Sequence, residues 1–178
     1  HSLRRRQRQM CIRDRFRTVK KLHGTNIVFH NLPVRYKRGR SELDMLIVCH
    51  AGVLIIEVKN HSGTISGSWR DDKWTQRKHY RDGKVTETMM DNPIKQMRRQ
   101  RDIVKSILTA AGENVWIDSV LYFSSPNAKL KISLRESDYV CCESAELLEF
   151  LKSYDSGETL SKSRMEHIAQ ILRESSGV

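Results

Sequence analysis

Residues 42–60 read Glu-Leu-Asp-Met-Leu-Ile-Val-Cys-His-Ala-Gly-Val-Leu-Ile-Ile-Glu-Val-Lys-Asn. Two apolar runs, 43–49 and 53–58, flank a short break that carries Gly52. Apolar side chains fall on both faces of each run, which is typical of strands that are buried on both sides. The stretch therefore predicts a hairpin of two buried strands that leads a central sheet.

Three charged residues interrupt the apolar pattern of this hairpin. Asp44 opens the first strand, and Glu57 and Lys59 close the second. These two ends are neighbours in an antiparallel hairpin. A loop at Ala51 and Gly52 would pair residue 44 with residue 59, whereas a four-residue loop would set residue 44 opposite residue 57. In either register the three side chains share one face, because side-chain direction alternates along a strand.

The charges at this strand end are costly to half-bury unless something neutralises them. A divalent cation between the two carboxylates would do so, and oxygen ligands suit Mg²⁺ or Mn²⁺. Such an ion can polarise a phosphodiester and lower the pKa of a bound water, while a lysine stabilises the developing charge. The alternative is a salt-bridged strand end without catalytic function, and the hairpin alone favours neither interpretation.

The wider sequence resembles a known group of nucleases. An Asp followed by Glu-x-Lys on adjacent strands resembles the catalytic core of the PD-(D/E)xK nucleases. Over roughly residues 19–125 the chain resembles the nuclease-related domain, NERD, through an ordered set of residues: Glu42 to Val48, Gly52-Val53, Ile56 to Asn60, Gly63, Trp74 and Asn92-Pro93-x-x-Gln96. The resemblance implies an α/β fold, with a restriction-endonuclease-like central mixed sheet flanked by helices and an added small β-meander.

The resemblance also implies a chemistry, namely metal-dependent hydrolysis of phosphodiester bonds in nucleic acid, with DNA preferred. Asp44 and Glu57, together with the backbone carbonyl of Val58, would hold Mg²⁺ or Mn²⁺. Lys59 would stabilise the attacking water, and Gln96 would orient that water or a phosphate. The alternative is a catalytically impaired module that keeps the nuclease fold and binds nucleic acid or regulates a partner.

Asn92 and Pro93 are typical of a helix start, with Asn92 as the N-cap and Pro93 at the first helical position. An apolar stripe from Ile94 to Ala111 and a stop at Gly112 predict the length of this helix. Two basic groups are candidate phosphate contacts, one in a predicted loop and one on this helix: Arg35, Lys37, Arg38 and Arg40, then Lys95, Arg98 and Arg99. Solvated surface is the alternative interpretation for both groups.

The region between the hairpin and the helix predicts a meander, with turns at Asp71-Asp72 and Asp82-Gly83. Trp69, Trp74 and Tyr80 are expected to cover a sheet face rather than stack on bases. Beyond the helix, the sequence predicts strands at 115–123 and 139–142. It also predicts helices at 145–154, with Ser144 as the cap, and at 161–173.

Composition limits the class of protein. The chain has 178 residues, which suits one domain, and its net charge of +11 points to a polyanionic partner. No apolar run approaches the ~18 residues that a membrane helix needs. The four cysteines form no C-x-x-C pair, which argues against a zinc site and a disulfide framework. We expect a reduced, cytoplasmic protein.

Residues 1–15 differ from the rest of the chain, because they hold six arginines and one aspartate. They resemble peptides translated from sequencing-adapter DNA, and we predict that this basic tail is not native to a domain spanning residues 16–178. The alternative is a basic arm for nucleic acid. Without the tail the net charge falls to +6. The resemblance implies a glutamate in the first helix near residue 15 or 16, where the chain has Arg15 and Phe16.

Deleting residues 1–15 is expected to leave the thermal stability nearly unchanged, because a foreign tail makes no packed contact with the core. Differential scanning calorimetry on the full chain and on residues 16–178 measures this directly. A deletion that unfolds the domain would identify the tail as native structure.

Overall fold

The structure, a computed structural model, describes residues 26–176. In these residues nine strands and three helices follow one another in this order: β1 Ile27–Tyr36, β2 Gly39–Cys49, β3 Gly52–Lys59, β4 Gly63–Ser68, β5 Lys73–His79, β6 Val85–Asp91, α1 Pro93–Ala110, β7 Ile117–Phe123, β8 Ala128–Ser133, β9 Tyr139–Cys141, α2 Ser144–Ser153 and α3 Lys162–Ser176. They form two mixed sheets flanked by helices, consistent with a restriction-endonuclease-like fold. The helix predicted from residue 16 lies outside the described residues.

The first sheet has the strand order β1-β2-β3-β7-β9. Strands β1, β2 and β3 are antiparallel, whereas β7 and β9 run parallel to β3. The predicted hairpin is confirmed as β2 and β3, in the middle of the sheet. Met45 lies opposite Ile56 and Cys49 opposite Gly52, so that residue 44 follows in line with residue 57. This is the second of the two registers that the sequence allowed, but the loop has two residues, His50 and Ala51, rather than four.

Helices cover both faces of the first sheet. On one face, Leu46 and Ile55 pack against Val104 of α1 and Ile168 of α3. On the other face, Met45, Leu54 and Ile56 pack with Leu147 and Leu151 of α2. Each fully buried side chain of this kind contributes about 1.5–3 kcal/mol relative to an exposed one. Burial on both sides explains why the paired parts of the two strands, 45–49 and 52–56, carry no charged residue.

The second sheet has the strand order β6-β5-β4-β8, and its β4-β5-β6 part is the predicted meander. The parallel pairing of β8 with β4 was not predicted. Trp74 is fully buried between this sheet and the start of α1, beside Ile94, and its indole N–H donates to the Ser68 carbonyl. A Cβ on Gly67 would collide with the Trp74 ring. The packing interpretation of Trp74 is confirmed, whereas Tyr80 is half exposed.

Asn92 fixes the start of α1 to the second sheet. Its side-chain oxygen accepts from the Ile94 N–H as an N-cap, as predicted. Its amide nitrogen donates to carbonyls of the β4–β5 turn, those of Ser68, Trp69 and Asp71. Asn92 is 2% exposed, and both ends of its amide have partners, as a buried polar side chain requires. This side chain therefore helps to fix the start of α1.

Three predictions of detail were wrong. The basic segment 35–40 is not a loop, because β1 and β2 continue through it to a two-residue turn at Lys37 and Arg38. Ala111 is exposed and lies just after α1. Helix α2 begins at Ser144 itself, with Glu143 as its N-cap. The run of basic residues led to the first error, although Leu32, Val34 and Tyr36 alternate with exposed residues as a strand requires.

Within residues 26–176, no helix is long and apolar enough to cross a membrane.

Asn92 offers a test of how α1 is held. Asn92→Ala is expected to cost about 1 kcal/mol for the lost cap and about 0.5–1.5 kcal/mol for each hydrogen bond to the turn that is lost. Asn92→Ser keeps an oxygen for the cap but cannot reach the three carbonyls, so its loss of stability should be intermediate. Urea unfolding of the three proteins measures both steps. Equal stability of the serine variant and the wild type would contradict the tethering function.

Candidate active site

Glu57 is the centre of a buried polar cluster at the end of β3. Its side chain is almost completely buried, yet each carboxylate oxygen has a donor. Oε1 accepts from Lys59 Nζ at 2.7 Å and from Gln96 Nε2 at 2.8 Å, and Oε2 accepts from Gln100 Nε2 at 2.7 Å. The ammonium supplies the countercharge and the two amides supply dipoles. Together they make the burial of a carboxylate tolerable.

Lys59 and Gln96 form a closed set of contacts with Glu57. Lys59 Nζ donates to Gln96 Oε1 at 2.8 Å while it pairs with Glu57. Both ends of the Gln96 amide are therefore used, which fixes the direction of its dipole. Gln96 lies in the first turn of α1, because Asn92 caps that helix. The structure brings together three of the predicted residues, from the hairpin and from the helix.

Asp44 lies where β2 and β3 separate. Their ladder ends at the pair Met45 and Ile56, and the Asp44 carboxylate accepts from the Val58 N–H at 2.9 Å. The side chain thus takes the place of a strand partner for Val58. As a result, Asp44 reaches the backbone of the residue between Glu57 and Lys59, and the predicted residues all meet at one end of the hairpin.

Gln100 belongs to the cluster and was not predicted. It is fully buried, and its amide nitrogen donates to Glu57 and to the Glu42 carbonyl at 3.2 Å. Pro33 lies opposite Glu42 on β1 and has no N–H to donate. No donor in the described part of the chain reaches Gln100 Oε1. The signal in the sequence is the spacing, because Gln96 and Gln100 lie four residues apart on one helix face.

The donor set fits a hard divalent cation. Asp44 and Glu57 offer carboxylate oxygens, and Gln100 Oε1 is a buried acceptor that has no donor among the described residues. Oxygen donors of this kind suit Mg²⁺ or Mn²⁺ rather than a soft metal. In residues 26–176, no three His, Cys, Asp or Glu side chains are grouped to hold a metal. Any ion here would share Glu57 with the Lys59 ammonium.

The predicted basic residues of α1 differ in their surroundings. Arg98 donates twice to Asp138, at 2.8 and 2.7 Å, and this pair ties α1 to the segment before β9. Lys95 pairs with the exposed Asp72 at 2.6 Å. Arg99 donates to the Arg40 carbonyl at 2.9 Å and so links the helix to the β1–β2 hairpin. All three side chains therefore have partners, and all three line one cleft beside α1.

This cleft lies between α1 and the tip of the β1–β2 hairpin, with a volume of about 430 Å³. The hairpin brings Arg35 directly opposite Arg40, and like charges in that relation are destabilising unless an anion lies between or beside them. Lys37 and Arg38 form the turn at its tip, where Lys37 has a φ of 51°. The hairpin contributes Tyr36 and Gly39 to the cleft lining, and the basic side chains in the lining are those of α1, which also contributes Asp102.

The described cysteines do not form an alternative reactive centre. Cys49, Cys141 and Cys142 are free thiols. Burial raises the pKa of the Cys141 thiol to about 12, and burial also raises the pKa of Cys49. A thiol of raised pKa is a poor nucleophile at neutral pH.

Comparison with protein families gives one result. A family model described as the nuclease-related domain, NERD, matches residues 12–124, which is more than half of the chain. No curated protein and no solved structure matches. The matched range contains Asp44, Glu57, Lys59, Gln96 and Gln100. Its first residues, 12–15, fall in the segment predicted to be foreign, so that boundary stays a prediction.

Gln100 can be tested against a matched glutamine. Gln100→Leu removes the donor to the buried Glu57 oxygen. It is expected to lower the free energy of unfolding by about 1–3 kcal/mol, even though a buried leucine is itself stabilising. Gln170 of α3 donates to Glu174 at 2.9 Å on the exposed surface, and Gln170→Leu should change stability by at most about 0.5 kcal/mol. Urea unfolding measures both. A neutral Gln100→Leu would show that Glu57 does not need this donor.

Proposed function

Because the chain belongs to the nuclease-related domain family, within the PD-(D/E)xK-like nuclease superfamily, we propose that it hydrolyses phosphodiester bonds of nucleic acid, preferably DNA, with a divalent metal ion. Family membership suggests a nuclease-related function. We propose in addition that the reaction depends on a divalent metal ion and that DNA is the preferred substrate. The observation that carries it is the contact of Glu57 with Lys59 and Gln96 beside Asp44.

In this proposal Asp44, Glu57 and the Val58 carbonyl hold Mg²⁺ or Mn²⁺. When bound, the ion supplies Lewis acidity toward the phosphodiester and lowers the pKa of a coordinated water. The protein contributes the position of the two carboxylates. Asp44 is held by the Val58 N–H, and Glu57 is held by donors on both of its oxygens.

Lys59 and Gln96 act on the reacting groups. The Lys59 ammonium, one residue beyond Val58, stabilises the attacking water and the negative charge that develops on the phosphate. Gln96 orients that water or a phosphate oxygen with its amide, whose direction is set by Glu57 and Lys59. The side chain of Lys59 is 16% exposed, so its charge acts where little water screens it.

The cleft beside α1 provides the surface for the nucleic acid. Lys95 and Arg99 contact phosphates from inside the cleft, and Arg35, Lys37, Arg38 and Arg40 contact them from the adjoining hairpin, outside the residues that line the cleft. A phosphate between Arg35 and Arg40 would relieve their mutual repulsion. Arg98 pairs with Asp138. Because its guanidinium already has this partner, Arg98 is a weaker candidate for direct contact with phosphate.

The second candidate is a module that binds nucleic acid without cleaving it. One observation favours it, which is that both Glu57 oxygens have donors and the Lys59 ammonium balances the charge without a metal. The resemblance also implies a first-helix glutamate that positions 15 and 16 lack. This candidate differs from the first in its response to metal, because Mn²⁺ would then leave the melting temperature unchanged.

The proposal places the protein in the cytoplasm. Its three described cysteines are free thiols, as a reducing compartment requires.

The chemistry predicts separable effects of mutation. Lys59→Met should keep Mn²⁺ binding but lower the cleavage rate by about 10²–10³, since one transition-state donor is lost. Asp44→Ala and Glu57→Ala should lose Mn²⁺ binding and cleavage together. Titration calorimetry with Mn²⁺ and a gel assay on linear and circular DNA measure the two properties. Lys73→Met is the matched control, because Lys73 pairs with Asp91 on the exposed surface at 2.8 Å.

Two outcomes would contradict the assignment. Cleavage by Lys59→Met at the wild-type rate would remove Lys59 from the mechanism. Tight Mn²⁺ binding by Glu57→Ala would place the metal elsewhere. A wild-type protein that binds DNA but neither binds Mn²⁺ nor cleaves would support the non-catalytic candidate.

A further inference from the structure

The outer face of the second sheet carries a group of polar side chains that the proposed site does not use. Lys129 lies opposite Thr64, and Lys131 lies opposite Ser66, which in turn lies opposite Thr75. Paired residues point to the same side of a sheet. Because the alternate residues, such as Ile65, point into the core, these five side chains point outward. We name them the lysine face.

The charge of the lysine face is not balanced locally. The other basic residues on this side of the sheet have partners, because Lys73 pairs with Asp91 at 2.8 Å and Arg77 with Glu87 at 3.5 Å. Lys129 and Lys131 are exposed, and neither has an ion pair within residues 26–176. Two ammonium groups next to small hydroxyls thus remain available to an anion.

One further basic residue lies just past the end of β8. Arg135 is exposed, and its guanidinium lies 3.7 Å from the centroid of the Trp69 ring. Trp69 is itself held by its backbone N–H, which donates to the Ser133 carbonyl at 2.9 Å. Stacking restricts the arginine, so that less conformational entropy is lost when it binds a ligand. The arginines around Trp69 also cover its ring, which favours backbone contact over base stacking.

The lysine face begins next to the candidate active site. The loop that leaves Lys59 is joined to the approach to β8, because the Lys59 carbonyl accepts from Ser124 and Gly63 donates to Asn127 at 2.8 Å. Lys129 is opposite the residue that follows Gly63. Lys131 follows Lys129 roughly 6.6 Å further along β8, so the lysine face runs away from these joined loops.

We propose that the lysine face is a second contact surface for the phosphate backbone of nucleic acid, separate from the candidate active site and from the cleft beside α1. The inference rests on the proposed function, since it takes nucleic acid as the substrate. Ammonium and hydroxyl groups donate to phosphate oxygens, and contacts to phosphate carry no sequence information. Binding there is independent of sequence and adds affinity only for strands long enough to reach beyond the cleft.

The test compares the full chain with a Lys129→Gln/Lys131→Gln variant. Binding of a long and a short labelled oligonucleotide is followed by fluorescence anisotropy in EDTA, over a range of salt concentrations. For the long strand, the slope of log affinity against log salt should fall by about two units, one for each lost contact. The short strand, bound in the cleft, should keep its slope. Lys129→Arg/Lys131→Arg should behave as the wild type.

A matched control removes two charges elsewhere. Lys152 of α2 and Lys162 of α3 are exposed, and Lys152→Gln/Lys162→Gln should leave the slope unchanged. An unchanged slope in the Lys129→Gln/Lys131→Gln variant overturns the lysine face and leaves the proposed function standing. In that case the two lysines only protect the edge of the sheet. A wild type that binds no nucleic acid overturns both. If the double variant aggregates, each single variant replaces it, with an expected change of about one unit.

Discussion

The neutralisation of one buried carboxylate is the constraint on which the site depends. Glu57 has almost no access to water, and an ionised carboxylate in that position is costly without donors. Lys59 comes from the same strand, but Gln96 and Gln100 must come from a helix. The start of α1 therefore lies over the end of β3. Two glutamines of the helix and two charged residues of the strand form one hydrogen-bonded cluster.

The second sheet contributes to the site through mechanical support. Asn92 joins the β4–β5 turn to the first turn of α1, and Trp74 fills the space beneath it. Arg98 adds a second tie through Asp138. These contacts lie around the part of α1 that carries Gln96. A change in the turn between β4 and β5 would therefore shift the hydrogen-bond donors of Glu57, although no residue of that turn contacts Glu57 in the described structure.

Sequence patterns predicted the parts of the fold whose signals are local. The two buried strands followed from apolar residues on both faces, and the start of α1 followed from Asn92 and Pro93. The prediction that Asp44, Glu57 and Lys59 share one face stays a prediction, because the β2–β3 ladder ends at Met45 and Ile56. The pairing of β8 with β4 could not be predicted, because the alternation from Ala128 to Ser133 says nothing about which strand is the partner.

The same reasoning explains what was missed at the site. Gln100 interrupts an apolar stripe, which marks it as unusual, but its partner Glu57 is 43 residues away along the chain. Only the packing of α1 on the first sheet brings them together. The error at residues 35–40 has a different origin, because four basic residues on a solvent-exposed hairpin resemble a loop in composition. Hydrogen bonds to the neighbouring strand determine that hairpin.

The parallel pairing of β4 with β8 has a consequence for the order in which the chain folds. Strand β4 is complete at Ser68, but its partner begins at Ala128, after α1 and β7. Closing such a long loop is slow, because the chain loses entropy before the contacts form. During synthesis, which proceeds from the N-terminus, the meander therefore emerges with one edge open. Until β8 arrives, the buried side chain of Ile65 lies beside an unpaired strand edge, and this is the stage at which the nascent chain is most exposed to aggregation.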